Sequence, residues 1–167
     1  MVEIVDPQGN PELDLSLLPI FQRYKQENES WIPDFNLWSY LNLRGDHDLA
    51  AAFSKLFWPD FTEVDGCVFL AQQYDAETFK GWKERLGGNK SAIEGMINHV
   101  HISDLFLNSP KEVKDSKGLD GYIAKILMVC WKHALQEQFP GKQFVFSLDG
   151  DYGYTDSISF YQAEHGE

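Results

Sequence analysis

The stretch KQFVFSLDGDYGYTDSISFYQ, Lys142 to Gln162, decides whether the chain is all-helical or mixed. Phe144, Phe146 and Leu148 alternate with Gln143, Val145 and Ser147, and Ile158 and Phe160 alternate with Ser157, Ser159 and Tyr161. A two-residue period is that of a strand with one covered face. The acidic centre resembles a calcium loop only in composition. Counted from Asp149, the sixth position is Tyr154 where an EF-hand needs Gly, and the twelfth is Phe160 where it needs Glu. Asp-Gly and isolated glycines supply the positive φ angles of tight turns. The stretch therefore predicts a β-hairpin with strands over 142–149 and 156–163. Asp149, Asp151, Tyr152, Tyr154 and Asp156 stand at its tip as a candidate contact surface.

Immediately upstream, LDGYIAKILMVCWKHALQEQ is apolar around most of a helical circumference, which predicts a central buried helix over 119–138, ended by Pro140-Gly141. Further upstream, FTEVDGCVFLAQQY holds the apolar run Cys67 to Ala71, the signature of a strand covered on both faces, expected over 62–72. Helices are expected from SLLPIFQRYKQENE, from PDFNLWSYLNL and from GDHDLAAAFSKLFW, the last capped by Asp46 or Asp48 and stopped by Pro59. DAETFKGWKERLGG is another, capped by Asp75, and NKSAIEGMINHVHISDLF reads as one more. SPKEV shows a capping-box spacing from Ser109 to Glu112. The expectation is one α+β domain over 1–167, with a small, mainly antiparallel sheet and five or six helices. Residues 1–12 read as loosely ordered, with VEIV as a weak edge strand.

Lys and Arg number 14 against 26 Asp and Glu, a net charge of −12. Such a field repels nucleic-acid phosphates and anionic membranes, so neither is expected as a partner. No apolar run approaches the ~20 residues of a membrane span, and the acidic, proline-interrupted start is neither a secretory signal nor a transit peptide. Cys67 and Cys130 sit in apolar surroundings without a C-x-x-C pair, as in a reduced bacterial cytoplasm.

Phosphate-binding and nucleophile-elbow motifs are absent. Four residues are candidates for acid–base work: Glu63 and Asp65, two apart in TEVDG, and His101 and Asp104, three apart in HISD. His99 and His101 form an H-x-H pair, but on the expected helix residues two apart diverge by about 200° and do not share a metal. Cys130 and His133, three apart on the long helix, supply only two ligands. RGDHD reads as a loop and an N-cap. The aromatic set Trp31, Phe35, Trp38, Phe57, Trp58 and Trp82 reads as core.

These readings point to a non-enzymatic, acidic cytoplasmic module that meets a basic partner protein, of inhibitor or immunity type, with no cofactor and no assigned metal. An enzyme or small-molecule binder built on Glu63, Asp65, His101 and Asp104 is the alternative. A metal protein using His99 or His101 with Cys130 and His133 is the third reading.

Overall fold

The computed structural model describes residues 11–114, 118–149 and 157–163. A 3-10 turn at Leu15–Leu17 leads into α1 (Pro19–Asn28), α2 (Leu37–Arg44) and α3 (His47–Phe57). Then come β1 (Phe61–Val64), β2 (Cys67–Leu70), α4 (Ala76–Arg85), α5 (Lys90–Ile97) and β3 (Val100–His101). Single turns α6 (Ile102–Leu105) and α7 (Lys111–Lys114) precede α8 (Leu119–Gln138), β4 (Phe144–Asp149) and β5 (Ser157–Gln162). The fold is α+β. The C-terminal hairpin stands where the alternation placed it: β4 and β5 pair antiparallel from Phe144↔Gln162 to Asp149↔Ser157.

Side-chain caps start most of the helices. The carboxylates of Asp46 and Asp75 accept from the N–H groups of Leu49 and Thr78, and the Asn36 and Asn89 amide oxygens do the same for α2 and α5. Helix α2 closes at Gly45, whose N–H donates to the Leu41 carbonyl, an approach that suits glycine because a Cβ there would lie 2.5 Å from that oxygen.

Three expectations are corrected. The strand expected over 62–72 is a hairpin, β1 and β2, reversed at Asp65 (φ 52°) and Gly66 (φ 80°). Two consecutive positive φ values make the tight turn that matches strand twist, and Asp-Gly is the dipeptide that favours it. The helix expected through NHVHISDLF ends at Ile97, because Val100 and His101 pair with Ile158 and Ser157 of β5. The single sheet is two, β1-β2 and β3-β5-β4.

Those two sheets lie edge to edge, joined through the side chains of Glu94 in α5 and of Asn98, its C-cap. Glu94 and Asn98, both fully buried, enter the gap between β2 and β5. The Glu94 oxygens accept from Val68 N–H (2.6 Å), Gln162 N–H (2.7 Å) and Gln162 Nε2 (2.5 Å). Asn98 Oδ1 accepts from Leu70 N–H at 3.0 Å, while its Nδ2 donates to the carbonyls of Val68 (2.9 Å) and Phe160 (3.2 Å). Residues four apart on a helix are separated by ~6 Å along its axis. Alternate residues of a strand are separated by ~6.6 Å. One helix turn can therefore serve successive open groups of a strand edge.

Because β2 stands in the middle, both of its faces are covered. Val68 and Leu70 join Leu127, Trp131, Ile158 and Phe160 under α8. Cys67 and Phe69 join Phe79, Ile93 and Ile97 under α4 and α5. Phe160 is the aromatic hub, with the rings of Phe61, Phe146 and Trp131 at 5.8, 5.5 and 6.1 Å. The long helix buries the stripe Ala124, Leu127, Trp131, Ala134 and Leu135; its flanks are half-buried rather than enclosed.

Glu94→Gln puts an NH2 against backbone N–H donors, and Asn98→Asp puts a carboxylate against two carbonyl oxygens. Each is expected to destabilise the protein by about 1–3 kcal/mol, read from the urea midpoint. Loss of less than about 0.5 kcal/mol in both variants would show that the bridge is not a structural requirement.

Candidate functional site

The four acid–base candidates are held by separate elements. Glu63, on β1, is paired with Lys142 at 2.7 Å. Asp65 is in the turn, paired with Lys83 at 2.8 Å. The Lys83 hydrogen bond and its charge hold the Asp65 carboxyl below the ordinary range. His101 is exposed on β3, and Asp104 is exposed on α6. Two clefts on the described surface, one beneath α3 and one beside residues 119–123, are lined by none of these four side chains.

The H-x-H pair is a further correction. Residues 99–101 are not helical, so the two imidazoles meet, with ring centroids 4.7 Å apart and planes at 72°. Cys130 is half-buried and His133 exposed on α8. Among the described residues, no group of three or more His, Cys, Asp or Glu side chains is placed to hold a metal ion. At the hairpin tip, Asp149 closes β4 opposite Ser157; Asp151, Tyr152, Tyr154 and Asp156 lie outside the described residues.

The surface feature the sequence reading missed is aromatic. Of the set expected in the core, Phe35 is buried and packs on Phe21 at 5.8 Å. Trp31 is 85% exposed and Trp38 is 78% exposed. Ile32, Leu41 and Leu43, in the same segment, are exposed as well. The signal was present in the spacing of α2. Leu37, Trp38, Tyr40, Leu41 and Leu43 spread around the whole circumference instead of forming one stripe. Tyr40 takes the inward position, edge-on to Phe21 (5.6 Å) and Tyr24 (6.0 Å), which turns Trp38 and Leu41 to solvent. The carboxylates of Glu27, Glu29 and Asp34 are exposed in the same stretch.

This surface exposes aromatic and apolar side chains with three carboxylates between the flanking Lys25 and Arg44, and rests on the rings of Phe21, Phe35 and Tyr40. It has the composition of a contact patch: Trp combines large area with few rotatable bonds, and is over-represented among residues that dominate binding energy. No described helix is long and apolar enough to cross a membrane.

Burial, with the Glu94 charge adding to it, pushes the Cys67 thiol up to about 11. Burial also raises Cys130. The folded Cys67 thiol keeps its proton to higher pH than the unfolded one. Its contribution to stability is therefore complete below about pH 9 and is lost as the pH rises toward 11. Wild type is expected to lose on the order of 2 kcal/mol more than Cys67→Ala across that window in urea unfolding; parallel losses would refute the assignment. In Asp65 the sign is opposite: Lys83→Gln is expected to raise its pKa toward the ordinary value of 3.8, measured by NMR titration. Comparison with protein-family models, curated proteins and solved structures finds no match for this chain.

Proposed function

We propose that the protein is a non-enzymatic binding module of the bacterial cytoplasm that meets a basic partner protein, in the manner of an inhibitor or immunity protein. The observation that carries this reading is the exposure of Trp31 and Trp38 beside Glu27, Glu29 and Asp34, on a chain with a net charge of −12. An acidic field accelerates encounter with a basic surface, and desolvated tryptophans then supply the short-range affinity. The two roles are separable, because long-range attraction is screened by salt while apolar burial is not. Of the candidate acids, Glu63 and Asp65 are each paired with a lysine, Lys142 and Lys83, which supports a surface role for those two charges. The hairpin tip, with Asp149, Asp151, Tyr152, Tyr154 and Asp156, is the second element of the proposed contact surface. Both cysteines are free, one buried and one half-buried, which suits a reducing compartment.

Tagged protein is expected to recover a basic protein in stoichiometric amount at low salt and to lose it at about 0.5 M salt. With that partner in hand, Trp31→Ala combined with Trp38→Ala is expected to weaken binding by at least about 2 kcal/mol, roughly thirtyfold, with the unfolding midpoint unchanged. A salt-insensitive complex, or one indifferent to the tryptophans, would overturn the reading.

A further inference from the structure

Helix α3 packs on the layer beneath it through Leu56 and Phe57 and leaves Leu49 open. Leu49, Phe53 and Leu56 recur at helical spacing, yet none of its residues is buried and Leu49 is 53% exposed. Between α3 and the sheets lies a cleft of about 240 Å³. Its floor is made by three buried side chains from three elements: Leu70 of β2, Val100 of β3 and Trp131 of α8. Trp131 is buried, and its indole N–H donates to the Leu56 carbonyl at 2.8 Å, so the ring is fixed beneath the cleft with its one polar atom occupied. At the rim, Lys55 Nζ donates to both Asp60 oxygens, at 2.7 and 2.9 Å, so the two charges neutralise each other. Gln72 and Gln73 complete the rim with exposed carboxamides.

We propose that this cleft binds a small, neutral aromatic molecule of two fused rings carrying a single hydroxyl or amide group. Volume sets the size: a dry apolar cavity of about 150 Å³ takes benzene, so the larger cleft takes a second ring. Charge sets the neutrality. A charged ligand would shed hydration against Leu49, Phe53 and Leu56, and the rim cation and anion already answer each other. The rim carboxamides, which both donate and accept, set the polar handle. A ring in the cleft also withdraws the exposed face of Leu49 and the half-buried faces of Phe53 and Leu56 from water. The site is separate from the aromatic surface of α2 and does not depend on the protein-binding reading.

The test is titration of the isotope-labelled full chain with 2-naphthol and, separately, 2-naphthoate. The amide signals of Ala52, Leu70 and Val100 and the Trp131 indole N–H are followed by NMR. Naphthol is expected to give saturable shifts centred on these four, with a Kd below about 1 mM, and naphthoate to bind at least about tenfold more weakly. Ala52 lines the cleft from an exposed helix position, so Ala52→Phe is expected to abolish the naphthol shifts while the melting temperature stays within a few degrees. Gln72→Ala with Gln73→Ala, at surface positions that leave the core untouched, is expected to lower naphthol affinity toward that of naphthalene. Shifts that do not saturate, that map elsewhere or that survive Ala52→Phe would overturn the proposal, as would equal affinity for naphthoate.

Discussion

Two buried side chains, Glu94 and Asn98, hold the molecule together at its least expected seam. The edges of β2 and β5 face each other without pairing, and an unpaired strand edge buried in a core costs about 1–3 kcal/mol for each unsatisfied group. Helix α5 and its C-cap resolve this by lending one acid and one amide, a single turn apart, to the open groups of both strands. Gln162 strengthens the join from the other side, donating its side chain to the Gly66 carbonyl as well as to Glu94. The result behaves as a five-stranded layer with a polar wedge, and it fixes α5 against both hairpins at once.

Much else depends on that wedge. Because Asn98 is committed to the gap, α5 stops there, and residues 99–101 leave as extended chain to pair with β5. Because β2 remains central, its two faces separate into two cores, one closed by α8 and one by α4 and α5. The cleft beneath α3 has a floor drawn from both sheets, with Leu70 on one side of the seam and Val100 on the other. The aromatic surface of α2 lies outside this arrangement. It rests on the small cluster of Phe21, Phe35 and Tyr40, which leaves Trp31 and Trp38 exposed among the described residues.

Acidity and aromatic exposure point the same way. On the proposed reading, the charge of −12 acts at a distance and sets the sign of a partner, while the exposed tryptophans act on contact. Neither needs an assembled active site. The ion pairs of Glu63 with Lys142 and of Asp65 with Lys83 tie β1 and its turn to neighbouring elements, a structural use of residues whose spacing suggested proton transfer.

The sequence by itself determined the elements whose signals are local. Alternation placed β4 and β5, apolar periodicity and the following Pro-Gly placed α8, and Asp46 and Asp75 marked helix starts, because period and capping are set within a few residues. The same logic was legible but unread at Asp65-Gly66, where a turn dipeptide inside an apolar stretch splits one strand into two. Tertiary structure alone decided the rest. Ile93, Met96, Ile97 and Val100 have helical spacing, yet β5 competes for Val100 and wins, since a ladder position beside a buried strand satisfies backbone groups that a longer helix would leave facing it. Likewise nothing near Glu94 or Asn98 in the chain announces that they are buried. Their partners, Val68, Leu70, Phe160 and Gln162, are 26 to 68 residues away, and only the folded chain brings those backbone groups within hydrogen-bonding reach.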